Sequence, residues 1–403
     1  MPLSVSSRLA VMMFLTYAIW GAWYMTIGTY LTATLKFSGT QAGAVFGTTA
    51  LASMISPLIV GLVADRFFST ERVLSVLFLA GSVVLWLVSY ATDFGTVYAL
   101  MLAYCLCYFP AVPLTNSLAM RHMTDPKTQF PPIRIFAPLG WILISVVVGW
   151  MRIEADPLPF RIASAGSVLM GLYCLALPHT PPIGKGQKAG WKTLIGLDAL
   201  VLLKDRSYLA FLVASVLACI PVTFYFSFTN AYLNAVGVVN AAGKMSLGQV
   251  SEVVFTLAMP WVYRHFSIKN VLLLGLLAWA IRYVLLAMGN GESGMWMFYA
   301  AILLHGICFC FFFLTGQIYT SSVAPPALQS TAQGLLTFLT YGVGMFLGSL
   351  SSGTAVDVFT TMVNGQAQRN WTGFWLSSAA GAGGIFLLML FVFRDRKAAA
   401  TAS

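Results

Sequence analysis

Charge is what this chain has least of: 8% of its 403 residues are Asp, Glu, Lys or Arg, and only 12 are acidic. Hydrophobic residues make up 59%, so a water-soluble domain of this length could not cover its surface with polar groups. Loop cysteine is missing too. Cys105, Cys107, Cys174, Cys219, Cys308 and Cys310 all fall in apolar runs, where they serve as small apolar groups, and this argues against a disulfide scaffold. The two Cys-x-Cys pairs have no His or Cys partners at metal-binding spacing, so neither a metal nor a cofactor is expected. No H-E-x-x-H, no nucleophile elbow and no paired intramembrane aspartates occur, which argues against an enzyme.

What is present is apolar sequence in lengths that cross a bilayer as helix. Twelve such runs lie near 9–34, 41–64, 73–91, 96–120, 133–151, 160–178, 208–234, 246–263, 270–289, 295–320, 330–356 and 371–393. The expected class is therefore an all-α integral membrane protein with the lipid bilayer as its partner. The first run is too long for a signal-peptide core and passes through Trp20 and Trp23 without a cleavage site, so it is expected to remain as helix 1. The net charge of +10 comes from basic residues in short loops rather than on one face, so no nucleic-acid partner is expected. Placing both ends inside assigns 15 Lys/Arg to the cytoplasm and 5 outside, which predicts cytoplasmic N- and C-termini in an inner membrane.

The segment Arg66-Phe67-Phe68-Ser69-Thr70-Glu71-Arg72-Val73-Leu74 is echoed by Arg264-His265-Phe266-Ser267-Ile268-Lys269-Asn270-Val271-Leu272, an offset of 264 − 66 = 198 residues. Each copy joins two long apolar runs at the same place in its half, as in a duplicated bundle. The longest polar interval separates the halves. The expected organisation is a six-helix bundle over 1–178, a cytoplasmic linker over 179–206, and a second six-helix bundle with a short tail over 207–403. Within the linker, Trp191 to Leu203 has an amphipathic helical pattern suited to the inner membrane surface. Gly61-Leu62-Val63-Ala64-Asp65-Arg66 resembles the G-x-x-x-D-R core of the loop between helices 2 and 3 in major facilitator transporters, which implies that fold.

Charges inside apolar runs are costly unless paired or hydrated, so the few present are informative. Glu252 lies in the first third of span eight, with Gln249 one helical turn before it on the same face. Together they offer acceptors and a donor to a sugar hydroxyl or a base edge; the alternative is a structural pair with Arg282 or Arg134. Arg134 follows Pro131 and Pro132, which are expected to fix the start of span five, and it either contacts ligand or snorkels to the interface. Arg282, two thirds along span nine, suits an ion pair or an outward-leaning role. His305 and Gln317 give span ten polar groups beside the aromatic run Phe309 to Phe313, and His305 is either titratable near the midplane or bonded to a neighbour. Prolines 110, 113, 138, 221 and 260 are expected to kink their spans. Trp141, Tyr225, Phe226 and Phe309 are the aromatics expected to face a cavity.

Phe130-Pro131-Pro132-Ile133-Arg134, Phe228-Thr229-Asn230, Gln249-Val250-Ser251-Glu252, Ile268-Lys269-Asn270-Val271 and Ala332-Gln333-Gly334 together resemble the nucleoside:proton symporter family of the major facilitator superfamily, in order and over nearly the whole chain. The resemblance implies nucleoside import driven by protons, with Arg134, Gln249 and Glu252 as polar substrate contacts and Trp141 stacking on the base. Thr223 and Phe226 stand where some members carry Gln and Asn, which implies an altered base preference or a different substrate within the class. The candidate substrate-binding set is thus Arg134, Trp141, Thr223, Phe226, Asn230, Gln249, Glu252, His305 and Phe309, with Glu252 and His305 as the proton-coupling pair. Cys310 occupies the place of a common family Asp, and a thiol is a far weaker acid than a carboxyl. An uncoupled facilitator, a sugar, nucleobase or drug carrier, and a non-transporting nutrient receptor therefore stay open. A monomer is expected.

Overall fold

The computed structural model describes residues 3–182, 197–325, 328–364 and 366–394. Nine of the described helices are long and apolar enough to cross a membrane: Ser4–Thr34, Thr70–Val88, Phe94–Arg121, Thr128–Trp150, Arg206–Ala235, Ile268–Met288, Met295–Val323, Thr331–Val358 and Trp371–Val392. Gly39–Arg66, Leu158–Cys174 and Leu247–His265 complete the twelve, 9 + 3, that the apolar runs predict. The chain is a multi-pass membrane protein, and its helices satisfy their backbone groups internally, as hydrocarbon requires. One departure from the all-α expectation is a two-stranded hairpin before the last span, in which β1 (Thr360–Val363) pairs antiparallel with β2 (Gln366–Arg369).

Several boundaries differ from the sequence reading for identifiable reasons. Span two continues as helix through Arg66, so the expected loop at Gly61–Arg66 is helical; the side chains of that motif lie outside the described residues. Span five begins eight residues before Arg134, at Pro126, with Pro131 and Pro132 inside the helix. The prolines do not start this span. Helical hydrogen bonding continues past Arg134, with the Ile135 N–H bonding the Pro131 carbonyl four residues back at 3.2 Å, and Phe136–Trp150 completes the span. In the linker, Trp191–Gly196 lies outside the described residues and Leu197–Lys204 forms a 3₁₀ rather than an α-helix. Span seven then starts at Asp205, whose carboxylate accepts from the N–H groups of Ser207 (2.8 Å) and Tyr208 (3.2 Å).

The repeat is visible in the backbone. Ser69 precedes span three with φ −65° and ψ 142°, and Ser267 precedes span nine with φ −68° and ψ 155°. Only Ser267 uses its side chain as a cap, accepting from the Asn270 N–H at 3.3 Å.

The chain divides into two compact units, one of Met1–Phe37, Ala44–Lys188 and Val239–Ser246, the other of Ser38–Gly43, Ala189–Val238 and Leu247–Ser403. In the first, buried Trp23, Tyr104, Tyr108 and Phe160 form the core; Trp23 Nε1 donates to the Tyr104 hydroxyl (3.3 Å), and Tyr108 donates to the Thr16 carbonyl (2.6 Å). Serines glue neighbouring helices, with Ser75 donating to the Gly171 carbonyl and Ser164 to that of Ser82, each at 2.8 Å. Segment Val239–Ser246 is held by buried Glu154, which accepts the Ala242 N–H at 2.9 Å. In the second unit Tyr283 stacks on Trp375 at 5.9 Å and 8°, and Asp357 caps the helix start at Gly39 and Thr40 with N–H···O distances of 2.6 and 2.7 Å.

Candidate functional site

The two units each bring polar and aromatic side chains together within their apolar interior. In the first, the Arg134 guanidinium reaches span one, where Nη2 donates 2.7 Å to the Tyr17 hydroxyl and the guanidinium carbon sits 4.5 Å from the Tyr17 ring centre. This is a cation–π contact as well as a hydrogen bond. Around it, Trp20 meets Trp141 edge-on at 5.1 Å, Tyr24 at 5.5 Å and Phe109 at 5.5 Å. The indole nitrogens of Trp20 and Trp141 and Oδ1 of Asn116 are buried without a hydrogen-bond partner. Buried donors in that condition cost free energy until something accepts from them. Tyr17, Trp20 and Tyr24 were not anticipated as site residues. Their spacing of three and four residues, which puts all three rings on one helical face, is the signal that marks them.

In the second unit the cluster centres on His305, whose side chain is 3% exposed. Its Nδ1 lies 3.1 Å from Arg282 Nη1, and its Nε2 lies 3.7 Å from Glu252 Oε2. The Glu252 side chain is 33% exposed, whereas that of its neighbour is buried. Tyr225 stacks on His305 at 5.9 Å, Phe226 meets it edge-on at 5.8 Å and Phe309 at 6.0 Å. Gln249 is half-buried, and its Oε1 has no hydrogen-bond partner. Helix crossing makes this convergence possible: Gly306 carries no Cβ, and one built there would overlap the Ser251 carbonyl oxygen, so spans eight and ten touch backbone to backbone.

Arg282 does not lean outward. It is fully buried, its guanidinium lies 3.3 Å over the Tyr225 ring and 5.2 Å from Trp279, and its hydrogen bond goes to an imidazole. Cys310, in a π-helical turn over Phe309–Leu314, packs its sulfur 3.2 Å from Thr256 Oγ1 and 3.6 Å from the Glu252 carbonyl oxygen. A side chain at position 310 therefore sits beside the backbone of the acidic residue. Such wide turns recur at functional sites because they redirect side chains out of register.

Other expected site residues lie apart from this cluster. Thr223 donates to the Cys219 carbonyl at 2.7 Å and packs against Met345 and Gly348 of span eleven. Asn230 is buried and accepts from Asn234 through its carbonyl at 2.9 Å and its side-chain oxygen at 3.2 Å. Gln333 ties span eleven to span ten by donating to the Gln317 carbonyl (2.6 Å) and the Ser321 hydroxyl (2.8 Å). A shallow, open pocket lies beside that junction, lined by Phe211, Ser215, Phe312, Phe313, Gln317 and Thr340, and Glu252 is not in its wall.

Comparison with known proteins gives this geometry its context. Residues 3–398 match the family model described as "Nucleoside H+ symporter". YegT of Escherichia coli strain K12, named as a candidate nucleoside transporter, is 37% identical over 98% of this chain and 95% of its own. The xanthosine permease of the same strain is 32% identical over 97% of this chain and 96% of its own. The crystal structure of the nucleoside transporter NupG superposes with a TM-score of 0.90 at 29% identity, covering 98% of this chain and all of that one. The fold is the twelve-helix major facilitator fold, and both fold and relatives are those of a membrane transporter rather than an enzyme.

Proposed function

The chain belongs to the nucleoside–proton symporter family, and from that premise we propose that it is a nucleoside transporter of the inner membrane, coupling uptake to proton entry by alternating access. The whole-length family match carries the substrate class. The buried cluster around Glu252 supports the coupling: a carboxyl one-third exposed, beside a buried imidazole and an unsatisfied amide oxygen, can exchange a proton with water and still meet a hydroxyl or base edge. Proton and nucleoside then influence each other's binding through one site, as linkage requires. Arg134, Trp141, Gln249, Glu252, Phe226 and Phe309 are assigned to substrate contact, with Thr223 and Asn230 shaping span seven, and Glu252 with His305 to proton handling. Cytoplasmic termini and a working monomer complete the reading.

Uptake of labelled uridine, adenosine and xanthosine into proteoliposomes, with and without an inward-acid gradient, tests it. Gradient-driven accumulation of a nucleoside, competed by nucleosides and not by free ribose or bases, is the expected result. The family resemblance favours a second reading. It implies an Asp at the place of Cys310, so uptake indifferent to the gradient identifies a facilitator, and binding without counterflow identifies a receptor.

A further inference from the structure

The roles within the proton-handling pair can be separated, because the partner on each side of the His305 ring is chemically one-sided. Arginine has five donors and no acceptor, so Arg282 Nη1 at 3.1 Å requires a lone pair on His305 Nδ1. The ring's proton is then on Nε2, the nitrogen that lies 3.7 Å from Glu252 Oε2. We propose that Arg282 is a positioning residue that fixes His305 as the neutral Nε2–H imidazole, so that Glu252 alone carries the exchangeable proton and His305 is a permanent donor directed at it.

The surroundings leave few other arrangements. The charged and titratable groups facing the ring are Arg282 from span nine, Glu252 from span eight, Tyr225 from span seven, and Cys308 of its own helix. A proton added at Nδ1 would set two N–H groups and two positive charges against each other at 3.1 Å in a buried setting. Arg282 cannot swing away to make room. It is fully buried and clamped over the Tyr225 ring at 3.3 Å. With Glu252 ionised, the trio's formal charges cancel, +1 − 1; with Glu252 protonated, a single positive charge remains to draw the electron-rich carbonyl or hydroxyl oxygens of a substrate.

The inference rests on Glu252 being the coupling group, and its test reads the imidazole directly. The chain has four histidines, so full-length protein labelled with ¹⁵N-histidine gives few imidazole signals, and those lost in His305→Gln identify His305. Expected is an Nε2–H tautomer that does not titrate between about pH 5 and 8. An Nδ1–H tautomer, or conversion to imidazolium in that window, overturns the proposal. In Arg282→Gln the signal becomes titratable, and the pH profile of nucleoside uptake gains a second step that disappears in the double variant Arg282→Gln/His305→Gln. An Arg282→Gln profile of unchanged shape also overturns it. Should Arg282→Gln fail to fold, the spectrum of the unsubstituted protein decides alone. A locked tautomer in a protein that neither binds nor moves nucleosides would sink the functional reading and leave the tautomer assignment intact.

Discussion

Glu252 is the side chain on which the transport reading places most weight, and it can be altered without changing its size. Glu252→Gln keeps the hydrogen-bonding shape and removes the proton site, so gradient-driven accumulation is expected to fall at least about tenfold, roughly 1.4 kcal/mol of coupling. Nucleoside binding, read as a thermal shift, should persist. Full gradient-driven accumulation by this variant would rule the residue out as the carrier. Cys310 offers the converse experiment: its sulfur lies 3.6 Å from the Glu252 carbonyl oxygen, so Cys310→Asp puts a carboxyl beside the cluster and should steepen the pH dependence of uptake. A profile unchanged by that substitution would count against a coupling role for the position. How far these residues were legible in advance follows from what each depends on. A lone carboxylate in an apolar run announces itself, because hydrocarbon penalises it wherever its neighbours are. Arg282 is equally conspicuous in the sequence, but its partner His305 is 23 residues away on another helix, and no periodicity within a helix encodes that pairing.

Among the helices, Gly306 is the close contact that brings Glu252 and His305 within reach. Adding a methyl group there pushes span eight off span ten, and an overpacked crossing of this kind costs about 1–3 kcal/mol. Gly306→Ala is therefore expected to lower the unfolding temperature and weaken nucleoside binding together. A stable variant with normal affinity would show that the crossing has room to give. A second element, the end of span four at His122, predicts a pH effect. Burial first, and the charge of adjacent Arg121 second, hold His122 below the ordinary imidazole range, while its Nε2 lies 2.8 Å from Thr180 Oγ1. Thr180 spends its own proton on the Pro178 carbonyl at 2.9 Å, so His122 is the donor of that pair, and burial disfavours its charged form in the folded chain. The unfolded chain, with an imidazole near the reference value of about 6.5, binds the proton more readily. This contribution to stability is present above that value and lost as pH falls below it, and His122→Gln should flatten the acid limb of the melting curve measured against pH. Span number followed from composition because length and apolarity determine it. The π-helical turn at Cys310 did not, since no periodicity of its own residues marks it.

The sequence echo places Ser69 and Ser267, 267 − 69 = 198 residues apart, in near-identical backbone conformations. The two units differ in polar content: arginine, tyrosine and indoles in the first, and a carboxylate, an imidazole and a buried guanidinium in the second. On the functional reading, the ring of Trp141 contacts the base and Glu252 handles the proton. This division predicts separable phenotypes. Trp141→Ala, which removes a ring 5.1 Å from Trp20, should weaken binding of every nucleoside by about 1–3 kcal/mol, the usual worth of a base–aromatic stack, and leave the pH dependence of uptake unchanged. Glu252→Gln should do the reverse. Ligand stabilises the folded form by RT ln(1 + [L]/Kd), so nucleoside at about 100 times Kd raises stability by about 2.7 kcal/mol, and a Trp141→Ala variant at the same concentration should show a much smaller shift. If both variants instead lose affinity and pH dependence in equal measure, the two units do not divide the labour, and substrate and proton are recognised by one undivided set of side chains.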